Sequence, residues 1–198
     1  MDYQEFLKTK EIRRQMVGFK PNYMPNLLKP FQSHLVDWSI RLGRSALLED
    51  CGLGKTVQQL VWAENVIRHC GKGSKVLILT PLAVAKQTER EAKKFGMVAH
   101  KTQDGTLHNG INVTNYEQLA HYNPEDFAAC VVDEDIVIED VAHIARILCF
   151  HACFCKRLPE CVVLFLDAAA WDETFLHRCA DSIRHWLDCE VEAVVLVG

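Results

Sequence analysis

Between Ser45 and Ala63 the chain passes from an apolar run, Ser45-Ala46-Leu47-Leu48, through Glu49-Asp50-Cys51-Gly52-Leu53-Gly54-Lys55-Thr56 into Val57-Gln58-Gln59-Leu60-Val61-Trp62-Ala63. The first run reads as a buried strand and the last as a helix with an apolar stripe. That order of strand, loop and helix is what separates a phosphate loop from a glycine-rich turn carrying a surface lysine. Gly52 and Gly54 let the backbone curl around Leu53 so that its N–H groups, and the helix N-terminus behind them, face an anion. Lys55 is placed to reach the β- and γ-phosphates of a nucleotide, and the Thr56 hydroxyl to bind Mg²⁺. One residue departs from the full pattern, which asks for glycine where Glu49 stands.

The same alternation continues downstream. Leu35-Val36-Asp37-Trp38-Ser39-Ile40 has helical spacing, with Gly43 as its stop. Val76-Leu77-Ile78-Leu79 reads as a buried strand closed by Thr80-Pro81, and Ala83 to Phe95 as a charged amphipathic helix. A short strand is expected near Met97-Val98-Ala99, another at Ile111-Asn112-Val113-Thr114, and a helical turn from Tyr116 to Ala120. Ala128-Ala129-Cys130-Val131-Val132 is a further apolar strand, ending in Asp133-Glu134-Asp135. Strands alternating with helices predict an α/β fold with a mainly parallel sheet between helices. Ligands of such sheets sit beyond the carboxyl ends of the strands. The phosphate loop, Thr80-Pro81, Thr114-Asn115 and Asp133-Glu134 all fall at such ends.

Asp133-Glu134 is the natural complement of the loop. Nucleotide hydrolysis needs a carboxylate to hold Mg²⁺ and a group to position the attacking water, and Asp133 suits the first role and Glu134 the second. Acidic pairs also end strands for solvation alone. Only the loop upstream gives this pair its meaning.

Read together, these motifs resemble the first RecA-like lobe of superfamily 2 helicases, in the Swi/Snf-type, DEAH-box-like branch and in the style of phage and prophage proteins. Leu28-Lys29-Pro30-Phe31-Gln32 followed by Val36-Asp37-Trp38 is similar to the adenine-recognition segment of that family, which makes Gln32 the candidate adenine reader. Glu49 to Thr56 resembles its first motif, where an acidic residue is common at the position of Glu49. Leu79-Thr80-Pro81 with Gln87 and Glu91 resembles the next motif, and Val113-Thr114-Asn115-Tyr116-Glu117 the one after it. In the family both contact the nucleic-acid backbone, so Thr80, Pro81 and Thr114 are the candidate contacts. Val132-Asp133-Glu134-Asp135 matches the Walker B motif except at Asp135. The resemblance implies a RecA-like P-loop NTPase domain, ATP with Mg²⁺ as the bound nucleotide, catalytic roles for Lys55, Asp133 and Glu134, and double-stranded DNA as partner.

It covers residues 31–135, after an N-terminal lead-in over 1–30. Residues 136–198 do not follow it. The family's Ser-Ala-Thr or Thr-Ala-Thr-Pro segment is missing there, and Val194-Val195-Leu196-Val197-Gly198 is the strand expected to stand in its place. The second lobe and its arginine are not seen either, so a separate chain supplying that lobe is one expectation and slow hydrolysis by this chain another. Composition shifts at the same point. Residues 1–135 carry 17 Lys/Arg against 16 Asp/Glu, and residues 136–198 carry 5 against 10; the cysteines divide three to six. The tail is read either as a diverged end of the lobe, with Val162–Leu166 and Ala193–Val197 completing the sheet, or as a replaced segment. Ile136 to Phe154 and Trp171 to Leu187 are expected to be helical. Cys149, His151, Cys153, Cys155 and Cys161 were weighed as a zinc site and read instead as buried thiols, because the usual spaced Cys pairs are absent.

Composition removes other classes. A hydrophobic content of 49% with 24% charged residues belongs to a globular protein, and a net charge of −4 argues against a strongly basic nucleic-acid binder. No apolar run reaches the ~18 residues that span a bilayer. With no secretory pattern at the N-terminus, a cytoplasmic setting in a bacterial or phage-infected cell is expected, with reduced thiols. Two functions compete. One is the ATP-binding lobe of a helicase- or translocase-like ATPase; the other is a non-catalytic nucleotide- or partner-binding module derived from one. A different phosphate-loop kinase is disfavoured by Gln32, Thr80-Pro81 and Thr114.

Overall fold

The structure is a computed structural model that describes residues 18–134, residue 16, and two strands at 162–167 and 194–197. Seven strands form one sheet: β1 (Arg44–Glu49), β2 (Lys75–Thr80), β3 (Ala99–Lys101), β4 (Gly110–Asn115), β5 (Ala129–Glu134), β6 (Val162–Asp167) and β7 (Val194–Val197). Their order is β3-β4-β2-β5-β6-β1-β7, and every pairing is parallel. Three helices are described: α1 (Pro30–Leu42), α2 (Lys55–Cys70) and α3 (Leu82–Lys94).

The apolar strands are explained by burial on both faces. Val76, Ile78 and Val131 pack with Leu35, Leu60, Val61 and Ala85 from the helices. Leu77, Leu79, Cys130 and Val132 point the other way, into a second cluster with Tyr116, Leu119, Tyr122 and Phe127. Period-two alternation sends successive residues to opposite faces, so a strand covered on both must be apolar throughout. Tyr116–His121 forms a 3-10 turn, one residue longer than the expected Tyr116 to Ala120. The other boundaries move by a residue or two, except that α1 begins at Pro30, five residues before the expected run. Helix α3 starts at Leu82 because Pro81, which offers no N–H, serves as its N-cap. Strand β3 begins at Ala99 rather than Met97, whose side chain is buried in the core instead.

One expectation about the tail is corrected. Val194–Val197 does not take the place of the strand that follows the acidic pair. It pairs only with β1, on the outer side. The strand beside Asp133-Glu134 is β6, inserted between β5 and β1, with Asp133 opposite Phe165 and Glu49 opposite Asp167. A five-residue apolar run, Val162 to Leu166, suits an inner strand; β7, with four residues, fits an edge. The expected helices Ile136 to Phe154 and Trp171 to Leu187, and the Cys149–Cys161 cluster, lie outside the described residues.

Candidate functional site

Because all the strands are parallel, their carboxyl ends share one edge, and the candidate residues gather along it. Strand β1 ends at Glu49; the loop then turns through Gly52 and Gly54, both at φ +82, and Lys55 opens α2. Glycine at 54 is required twice. Its φ lies in the left-handed region, and a Cβ there would stand 2.5 Å from Gln32 Nε2. Lys55 Nζ donates to the Glu49 carbonyl at 3.3 Å, folding the lysine back across the loop.

Gln32 sits behind the loop, 5% exposed. Its Oε1 accepts from Lys29 N–H at 2.8 Å, and its Nε2 donates to the Leu53 carbonyl at 2.7 Å. The side chain therefore ties the start of α1 to the crest of the loop.

Glu49 occupies the position that looked anomalous, and it is fully buried. Its Oε2 accepts from Gln58 Nε2 at 2.7 Å, while Oε1 has no hydrogen-bond partner among the described residues. Burial pushes its carboxyl above the usual glutamate range, opposed by the Gln58 hydrogen bond and by the Lys55 charge. Gln58 Nε2 also lies 3.5 Å from the Gly54 carbonyl. A buried carboxyl thus braces the first turn of α2 against the end of β1, a role that glycine could not fill.

A cavity of about 400 Å³ opens above the loop, within the usual size of a small-ligand site. Lys55, Thr56 and Asp133 line it together with Gly52 and Gly54. Asp133 is 4% exposed, and its backbone carbonyl accepts from the Tyr116 hydroxyl. Glu134 follows it on β5, opposite Leu166. A threonine hydroxyl and an aspartate carboxylate are hard oxygen donors of the kind Mg²⁺ takes while keeping several of its waters. With Lys55 beside them, this donor set fits a Mg²⁺-nucleotide.

The far wall was not foreseen. Val84, Gln87, Glu91 and Phe95 of α3 face the loop across the cavity. They recur at intervals of three and four, so a single helix face was there to be found in the sequence. Gln87 and Glu91, which the resemblance groups with Thr80-Pro81, line the same cavity as the loop. Thr80 and Thr114 are buried, and their hydroxyls are engaged internally, Thr80 Oγ1 with the Pro81 carbonyl at 3.2 Å and Thr114 Oγ1 with the Thr102 carbonyl at 2.9 Å. Pro81 is half-buried at the head of α3.

A parallel sheet with a phosphate loop after one strand and an acidic strand end two places away is an arrangement of RecA-like type. Solved structures share the fold. The UvsW helicase from bacteriophage T4 matches with a TM-score of 0.57 and 13% identity over 86% of this chain and 64% of that one. The Sulfolobus solfataricus SWI2/SNF2 ATPase core in complex with dsDNA matches at 0.57 and 19%, over 90% of this chain and 38% of that one. The Pyrococcus furiosus Hef helicase domain matches at 0.59 and 16%, over 86% and 37%. This chain therefore shares the RecA-like fold of these structures, and spans between about one third and two thirds of their length. No family model and no curated protein matches the sequence. Among the described residues no helix is long and apolar enough to cross a membrane.

Proposed function

We propose that residues 31–135 are the ATP-binding lobe of a DNA helicase- or translocase-like ATPase, with 136–198 continuing the same α/β domain and 1–30 as a lead-in. The observation that carries this reading is the convergence of Lys55, Thr56 and Asp133 on one cavity at the carboxyl edge of the sheet. In this reading the loop N–H groups and Lys55 bind the β- and γ-phosphates. Thr56 and Asp133 hold Mg²⁺, which when bound neutralises charge between those phosphates. Glu134 orients the attacking water, and Gln32 lies on the adenine side, coupled to the loop through Leu53.

Nucleic acid, double-stranded DNA in the first instance, is assigned to the strand ends that carry Thr80, Pro81 and Thr114. The two buried hydroxyls leave that contact to backbone and to Pro81. A facing lobe, on a separate chain or on further sequence, supplies the arginine that stabilises the transition state, a group worth roughly 10³–10⁵ in rate for related chemistry. The setting is the cytoplasm of a bacterial or phage-infected cell.

Calorimetry with Mg²⁺-ATP tests this. Binding is expected, and Lys55→Ala should weaken it about tenfold or more, as for loss of a charge-assisted contact. Absence of binding, or binding indifferent to Lys55→Ala, overturns the reading. Hydrolysis is expected to be slow, and Glu134→Gln should abolish what remains. Fast turnover that disappears with Lys55→Ala would remove the need for a facing lobe, whereas nucleotide binding with no DNA-stimulated hydrolysis in any context leaves a non-catalytic module.

A further inference from the structure

Helix α3 has two working flanks, and only one of them belongs to the cavity. Val84, Gln87, Glu91 and Phe95 look onto the phosphate loop. Rotated by roughly 140° about the axis, at 3.6 residues per turn, stand Lys86, Arg90 and Lys93, also three and four residues apart. All three are exposed.

In the sequence Glu89 and Glu91 interleave with these cations and suggest a neutral, solvated face. The structure separates them. Glu89 turns to the sheet edge, where its Oε1 accepts from Lys101 N–H at 3.3 Å. Glu91 lines the cavity and pairs with Lys94 at 3.0 Å. Among the described residues Lys86, Arg90 and Lys93 form no ion pair. Arg90 Nε rests on the Lys86 carbonyl at 3.2 Å, within the same stripe. In a chain of net charge −4, three exposed cations thus share one helix flank, with the neighbouring Glu89 turned to the sheet edge.

We infer that this outer flank of α3 is a track for the phosphodiester backbone of a nucleic-acid duplex, separate from the strand-end contacts. Lys86 and Lys93 lie about 10 Å apart along the axis at 1.5 Å per residue, far enough for their long side chains to reach different phosphates of one strand. The helix that carries it forms the far wall of the nucleotide cavity, so one rigid element touches both ligands. This inference rests on the nucleic-acid reading above, and the experiment separates the two.

Duplex affinity of the full chain is measured between 50 and 200 mM salt, on DNA and on RNA of the same sequence. Lys86→Gln/Lys93→Gln is compared with a control pair, Lys20→Gln/Lys72→Gln, at exposed lysines elsewhere, and Mg²⁺-ATP binding is followed in parallel to show an intact cavity. Each phosphate contact adds about 0.9 to the slope of log K against log salt on B-DNA, so the stripe pair should lower it by about 1.8 and the control pair should not. Adding Arg90→Gln should bring the loss to about 2.7. A track that reads backbone alone should show reductions on both duplexes; a loss on one only names that duplex as the source. If the wild-type chain binds duplex and the stripe variants keep its slope, the track is refuted while the nucleic-acid reading stands. If the wild-type chain shows no salt-dependent binding to either duplex, both fall.

Discussion

Glu49→Gln offers the sharpest test of how the phosphate loop is supported. The carboxyl is fully buried, accepts one hydrogen bond from Gln58, and leaves Oε1 without a partner among the described residues. Its folded pKa lies above the ordinary value of 4.5, with burial the main cause. The folded state therefore holds this proton more tightly than the unfolded state does. Stability from this group is fully present below about pH 4.5 and is lost as pH rises through the folded pKa, because the native state then carries a buried charge. Glutamine keeps an oxygen to accept from Gln58 but never ionises. The stability difference, variant minus wild type, should thus grow as pH rises from about 4.5, by at most ~1.4 kcal/mol per pH unit, and level off once the folded carboxyl has ionised. Urea unfolding at pH 5, 6, 7 and 8, read by tryptophan fluorescence, measures it. Glu49→Ala is the companion: it leaves the buried Gln58 amide with only its long 3.5 Å bond to the Gly54 carbonyl and should destabilise by about 1–3 kcal/mol for that group alone, with a cavity term added. A flat difference between Glu49→Gln and wild type across this range would refute the buried-proton account. So would a variant that grows less stable relative to wild type as pH rises.

The remaining predictions concern the loop itself. Gln32→Ala removes two hydrogen bonds, to Lys29 N–H and the Leu53 carbonyl, and should lose about 2 kcal/mol in urea unfolding; if Gln32 also reads adenine, the preference for ATP over GTP falls with it, and preserved selectivity would leave it a brace only. Gly54→Ala forces an L residue to φ +82 and drives its Cβ against Gln32, so we expect a loss of at least about 1–2 kcal/mol together with weakened Mg²⁺-ATP binding by calorimetry; tolerance on both measures would show that the loop can relax.

Much of this lobe was legible because its signals are local. The Gly52–Thr56 turn needs only its own backbone and the helix behind it, and each fully apolar strand announces burial on both faces. Glu49 could be marked as unusual, but its reason is non-local: Gln58 reaches back to it from the first turn of α2, and spacing alone does not reveal that the pair is dry. The far wall escaped for a related reason. Val84, Gln87, Glu91 and Phe95 form a visible stripe, yet which neighbour it faces depends on how α3 lies over the sheet. The interleaved charges of that helix show the same limit, since sequence gives their order and only packing gives their direction. Strand order was the least accessible property. Val162–Leu166 and Ala193–Val197 both read as strands, but nothing in either says which one sits beside the acidic pair.

That order has a mechanical consequence. Strand β6 separates β1, which delivers the loop, from β5, which ends in Asp133. Neighbouring strands lie ~4.8 Å apart, so the two arms of the cavity are held roughly 9.5 Å from each other by a spacer. Any apolar sequence able to form one parallel strand there would keep the interval. The stretch that least resembles the rest of the lobe thus has one fixed duty, an apolar strand one strand wide between the two arms.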